Sequence, residues 1–130
     1  MKEDFVSFDL AKKLKEKGYP QKPDNISCMP YYEYDDVANY TALCNEIVWH
    51  MSSEPRDNIF AAPAIHKVLK WLREEKKIHI CIGICIAPTF SWDYEIVNLD
   101  DDCYIHAECG YDSYEDAASN GISYILDNLI

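Results

Sequence analysis

Beyond Lys77 the 130-residue chain has no lysine or arginine. That absence removes residues 78–130 from the usual means of holding nucleic acid, in which basic side chains displace the counterions condensed on phosphate. All 12 basic residues lie in the first 77 positions, beside 13 acids; residues 78–130 carry ten acids, and the net charge is −11. Such a sector attracts a basic protein, a cation or a cationic ligand, and it aids solubility.

Other scarcities narrow the reading. There are four glycines, none grouped, so no ordinary phosphate-cradling loop is present. The longest apolar run, Ile78–Pro88, is interrupted by His79 and Gly83 and is far shorter than the ~20 residues of a membrane helix. The opening Met1-Lys2-Glu3-Asp4 is mixed in charge and has no apolar signal core, which predicts a cytoplasmic protein. Serine, histidine and aspartate are all present, but no nucleophile-elbow motif joins them. Asp100-Asp101-Asp102 lacks the alternating acidic loop and distal glutamate of a calcium site, and is expected to be a solvated hairpin turn.

The composition is that of an ordinary globular protein, 48% hydrophobic and 27% charged. The length fits a single domain over 1–130. Six cysteines, Cys28, Cys44, Cys81, Cys85, Cys103 and Cys109, are expected to be reduced and mostly buried, as free thiols usually are.

Ser7 to Gly18 reads as a first helix, with Ser7 as cap, Leu10, Ala11 and Leu14 as its apolar stripe, and Gly18 past its end. Met29–Tyr34 has the aromatic character of a strand. Ala42–Met51 reads two ways: Leu43, Ile47 and Met51 keep helical spacing, while Ile47, Val48 and Trp49 favour a strand; the reading leans to a hairpin with 29–34. Ser52–Asn58 reads as a polar loop. Ala61-Ala62-Pro63 is expected to open a second helix, because proline suits a first helical position. Ile65, Val68, Leu69 and Leu72 then recur at helical spacing.

From Ile78 to Ala87 isoleucine alternates with His79, Cys81, Gly83 and Cys85. The pattern is a strand, and since neither face is charged it is expected to be an inner one. Trp92–Leu99 and Cys103–Cys109 follow as further strands around the Asp100–Asp102 turn. Ser113 with Asp116 resembles a capping box for a last helix, whose stripe is Tyr114, Ala118, Ile122, Ile125 and Leu129. Gly121 in its middle costs about 1 kcal/mol against alanine, which close approach to the sheet would explain. The order α-ββ-α-βββ-α predicts an α+β fold, with an antiparallel sheet of about four to five strands and about three helices.

No catalytic set assembles from these residues. His79, Cys81 and Cys85 share a strand face, but Cys81 and Cys85 stand four residues apart, about 13 Å at ~3.3 Å per residue, too far to share zinc. Neither a metal nor a cofactor is expected. Asp93 with Glu95, and His106 with Glu108, share strand faces and are the carboxylate pairs a hydrolase would need. Aromatics are more suggestive of function. Tyr31, Tyr32, Tyr34 and Trp49 cluster early, and Trp92 and Tyr94 later; exposed tyrosine and tryptophan are enriched in binding surfaces. With Asp100, Asp101 and Asp102 they form the candidate binding set.

Three segments carry a likeness. They are Phe5-Val6-Ser7-Phe8-Asp9-Leu10-Ala11, Ile59-Phe60-Ala61-Ala62-Pro63 with Lys70-Trp71-Leu72-Arg73-Glu74, and Tyr114-Glu115-Asp116-Ala117-Ala118. Together they resemble a group of small uncharacterised proteins of gut Bacteroidetes and their phages or prophages, a group with no assigned activity. The resemblance implies a mobile-element accessory protein. These segments are helix starts and core stripes, so they speak for a fold and carry no chemistry. The final strand and helix also resemble, over a short stretch, antitoxins of the HicB type.

The expected function is therefore non-enzymatic: binding of a basic protein partner through an acidic, aromatic surface, with nucleic acid and membrane disfavoured and a homo-oligomer open. The alternatives are a small-molecule or nucleotide binder using the aromatics as a pocket, and a hydrolase using carboxylates.

Overall fold

A computed structural model describes residues 5–21, 29–33, 47–50 and 59–130; for 29–33, 47–50 and Ile59 the description is of the backbone. The elements are α1 (Phe8–Glu16), β1 (Met29–Glu33), β2 (Ile47–His50), β3 (Ile59–Ala61), α2 (Ile65–Glu75), β4 (Ile78–Cys85), β5 (Ser91–Asn98), β6 (Cys103–Tyr111) and α3 (Tyr114–Asn128). The fold is α+β, and among the described residues every strand pairing is antiparallel. The strands make two three-stranded sheets, ordered β2-β1-β3 and β4-β5-β6. The chain divides into two compact units, Met1–Ala64 and Ile65–Ile130.

In the first unit, the Ser7 side chain accepts the Leu10 N–H at 3.3 Å and so starts α1. The helix ends where Gly18 takes φ +92°, with Gly18 N–H donating to Lys15 C=O and Tyr19 N–H to Leu14 C=O. That is the double hydrogen bond of a Schellman end, and only glycine enters that region of φ without strain. Leu10, Ala11 and Leu14 are buried, and Phe8 meets Phe60 of β3 edge to face at 5.3 Å. Of the expected hairpin, the antiparallel pairing of β1 with β2 is present; residues 34–46 and Met51 lie outside the described residues. Pro30 lies in the central strand, opposite Trp49, but the β3 pairing extends only as far as Tyr31. Its missing N–H therefore costs no ladder hydrogen bond on the β3 side. The expected loop 52–58 lies outside the described residues.

Residues 59–61 depart from expectation. They form β3, and the second helix begins at Ile65, past Pro63. The backbone of this stretch is engaged elsewhere: Val6 N–H donates to Pro63 C=O at 3.0 Å, Ala61 N–H donates to Gln21 Oε1 at 2.8 Å, and Phe5 bridges Ala64. Those long-range partners override the local signal of a proline near a helix start.

In the second unit, α2 and α3 both pack on β4, and α3 also on β5, β6 and α2. Ile65, Val68, Leu69 and Leu72 of α2 are buried, as are Ala117, Ala118, Ile122, Ile125 and Leu126 of α3. Leu126, rather than Leu129, completes the α3 stripe. Ser113 accepts the Asp116 N–H at 3.1 Å and caps α3. A Cβ on Gly121 would stand 3.2 Å from the Tyr94 ring and 3.3 Å from Ile80 Cγ2. Here the close approach of helix to sheet favours glycine, since any side chain would make the Tyr94 ring or Ile80 give by a few tenths of an ångström.

Cross-strand register sorts the sheet into two faces. Ile80, Ile96 and His106 align on the helix side, as do Ile82, Tyr94 and Glu108. The other side carries His79 with Val97 and Tyr104, Cys81 with Glu95 and Ala107, and Gly83 with Asp93 and Cys109. β4 is an edge strand, not the inner strand expected from its lack of charge. Its apolar alternation reflects burial on one face at Ile78 and Ile80 only; Ile84 and Ile86 are exposed. The cysteines correct a second expectation: Cys81, Cys103 and Cys109 are exposed free thiols, and Cys85 is half-buried. The helices cover only the face opposite Cys81 and Cys109, so apolar flanking sequence did not bring burial. Cys28 and Cys44 lie outside the described residues.

Candidate interaction surface

The face of β4-β5-β6 away from the helices is a functional candidate among the described residues. Alternation along β5 sends Tyr94 and Ile96 into the core and leaves Asp93, Glu95 and Val97 on the other side. Glu95 is exposed and Asp93 half-buried. Asp93 lies across the strand from Gly83, where its Oδ1 is 2.9 Å from the position a Cβ would occupy. The missing side chain of Gly83 is what allows this carboxylate to lie down on the sheet. A shallow, open depression of about 180 Å³ is lined by Asp93, Tyr94, Glu95, Ala107, Glu108 and Cys109.

At the end of this sheet the Asp100–Asp102 turn is exposed, as expected. It is tightly hydrogen-bonded: Asp100 N–H donates to Asn98 Oδ1 at 2.9 Å and Cys103 N–H to Asp101 Oδ1 at 3.1 Å. The Asp101 carboxylate beside Cys103 pushes that thiol's pKa up, which suppresses the thiolate and its reactivity. At the opposite end stands Trp92. Six steps of strand separate it from Asn98 at the start of that turn, about 20 Å at ~3.3 Å each, so the aromatic and triple-aspartate parts of the predicted set are not brought together. Trp92 instead meets Phe90 at 6.1 Å and Tyr114 at 6.0 Å, both edge to face. Phe90 and Tyr114 are exposed.

Tyr94 is removed from the surface. Only 1% of it is exposed, because Gly121 lets α3 settle on its ring. Its hydroxyl reaches Glu108 Oε2 at 2.6 Å, and the Tyr111 hydroxyl donates to the same oxygen at 3.1 Å. Burial, then the bond to Glu108, holds the Tyr94 phenol far above its ordinary pKa. The two phenols in turn lower the pKa of Glu108. His106 Nε2 lies 3.7 Å from the same Oε2, and the His106 ring stacks on Tyr124 at 4.0 Å. The predicted His106–Glu108 pair is thus real, but its carboxylate already accepts two phenols and is made less basic by them, which suits a structural clamp better than proton abstraction. Sequence reasoning missed the roles of Tyr111 and Tyr124; the i, i+3 step from Glu108 to Tyr111 gave no alternation signal, since a register shift in the β5–β6 pairing separates them.

Tyr31 and Tyr32 lie in β1 and Trp49 in β2; their side chains, and Tyr34 altogether, lie outside the described residues. Among the described residues, no group of three His, Cys, Asp or Glu side chains is placed to hold a metal ion, and no helix is long and apolar enough to cross a membrane. No family model, no curated protein and no solved structure matches the chain.

Proposed function

We propose that the protein is a non-enzymatic docking module that holds a basic protein partner on the uncovered face of β4-β5-β6. One observation carries the reading. Asp93 and Glu95 lie on the sheet face away from the helices that pack on this sheet among the described residues, and the three strands beneath it contain no lysine or arginine. Such a face attracts positive charge without internal neutralisation, and repels nucleic acid. The resemblance to phage and prophage proteins of gut Bacteroidetes supports placing this activity in a mobile-element accessory protein with a cytoplasmic partner. The small-molecule alternative gains nothing from the depression at Asp93, which is open and smaller than the ~300 Å³ at which ordinary ligand pockets begin.

The test is affinity capture from a bacterial lysate at low and high salt, repeated with an Asp93→Lys, Glu95→Lys double variant. The reading expects a basic protein retained at low salt, released at high salt, and not captured by the variant. Capture that ignores both salt and charge reversal would count against it.

A further inference from the structure

Exposed apolar side chains gather at one end of the β4-β5-β6 sheet. Ile84, Ile86, Phe90 and Tyr114 are all exposed, Phe90 by 61% and Ile86 by 74%. The cause is where α3 begins. Its first residue is Tyr114 and its first buried one is Ala117. The helix therefore covers Ile80, Tyr94 and Ile96 and stops short of Ile84 and Trp92, which stand opposite each other in the β4–β5 register. By alternation these two share the helix side of the sheet with Tyr94. An exposed apolar patch on a globular protein marks a place of contact.

The rings in this patch are arranged to leave π surface open. Trp92 meets Phe90 and Tyr114 at interplanar angles of 89° and 88°. Rings set at right angles leave faces free that parallel stacking would close. A free face carries the negative side of the ring quadrupole and attracts a cation within about 6 Å. Elsewhere in the molecule such rings hold a lysine: Lys15 Nζ lies 4.8 Å from the centre of Phe60, and Lys76 Nζ 5.4 Å from that of Trp71. Residues 78–130 contain no lysine or arginine to do the same for Phe90, Trp92 and Tyr114. Asp112 and Glu115 flank Tyr114 instead.

We infer that this corner seats an arginine side chain of the basic partner. The guanidinium lies on the Phe90 and Trp92 rings and toward Asp112 and Glu115, and the aliphatic stem lies along Ile84 and Ile86. The inference rests on the docking reading above and names the residue type that the partner contributes. Charge and shape together select this occupant. A second copy of the chain would set a net charge of −11 against its equal. A purely apolar segment would cover the isoleucines but gain nothing from the carboxylates. Arginine joins an apolar stem to a planar, weakly hydrated cation that stacks on aromatic faces and pairs with carboxylates. Trp92 and Asp93 are consecutive on β5, so a partner seated on Asp93 and Glu95 reaches the corner round the end of the sheet.

The probe is an acetylated, amidated hexa-arginine peptide, titrated into the full chain and followed by nuclear magnetic resonance. Hexa-citrulline, which keeps the shape of arginine without its charge, is the comparison. The expected result is saturable shifts of the Trp92 indole N–H and the Phe90 amide with the arginine peptide and none with citrulline. Phe90→Leu and Trp92→Leu keep apolar bulk and remove a π face, and each should weaken the arginine peptide about fivefold. Tyr104→Leu, which removes an exposed ring from the other face, should leave the affinity unchanged. Circular dichroism checks folding; should Trp92→Leu fail to fold, Phe90→Leu, at an exposed position, decides. The inference is overturned by absence of saturable binding, by equal binding of citrulline, by an affinity that Phe90→Leu leaves unchanged or Tyr104→Leu lowers as much, or by shifts confined to Glu95 and Val97. That last pattern sinks the corner and keeps the docking reading, while capture indifferent to salt and to charge reversal at Asp93 and Glu95 sinks the reading whatever the Trp92 shift does.

Discussion

The two faces of the β4-β5-β6 sheet share one backbone and differ in almost everything else. On one, Ile80, Tyr94 and Ile96 are buried beneath helices. On the other, Cys81, Glu95, Tyr104 and Cys109 stand in the open. Adjacent residues of β5 thus have opposite surroundings: Ile96 is fully buried in the core, while Glu95 stands exposed. The difference teaches that in a strand covered on one side, parity decides whether a residue contributes to stability or to surface chemistry.

Mutations can sharpen this contrast. The largest effect is expected for Ile96→Ala, which opens a cavity in the core and should cost about 3–4 kcal/mol in urea unfolding. Its neighbour Val97→Ala, on the other face, should cost under about 1 kcal/mol. Equal losses at the two positions would erase the distinction. Next, Gly121→Leu would drive side chain into the Tyr94 ring and Ile80, an overpacking worth about 2–3 kcal/mol; a neutral result would mean that helix and sheet can separate freely. Tyr94→Phe, which removes the hydroxyl bonded to Glu108 but keeps the ring, should cost about 1 kcal/mol, measured in the same way.

Titration gives a subtler test. Glu108 has a folded-state pKa below its unfolded value, so its contribution is present above the unfolded pKa of about 4.3 and is lost as pH falls through the folded one. Tyr94 is shifted the other way, and its contribution holds below about pH 10 and fades as pH rises toward the folded pKa. Glu108→Gln should therefore flatten the acid limb of a stability–pH profile, and Tyr94→Phe the alkaline limb. The smallest effect on stability, within about 0.5 kcal/mol, is expected for Glu95→Lys, although the same change should weaken capture of a basic partner.

Much of the fold is legible in the amino-acid sequence. Ser7 and Ser113 mark helix starts because an N-cap needs only a short-range hydroxyl, and Gly18 marks a helix end because few other residues accept positive φ. Gly121 announces close packing, although not that Tyr94 is its neighbour. The site is less legible. Residue type groups Trp92, Tyr94 and Asp100–Asp102, but the sheet buries Tyr94 and holds Trp92 and Asp100 apart. Asp93 and Glu95 are visible as a pair on one strand face; what sequence cannot supply is that their face is the uncovered one.

Local chemistry alone determined the α+β class, the three helices among the described residues, the strand character of Ile78–Cys85 and the acidity of everything after Lys77. These depend on periodicity, caps and charge counts, which act within a few residues. Tertiary structure decided that β3 takes the residues before Pro63, that β4 lies at an edge, and that Cys81, Cys103 and Cys109 face outward. Each of those outcomes depends on which distant segment claims a backbone group or covers a face, and no single-segment pattern contains that choice.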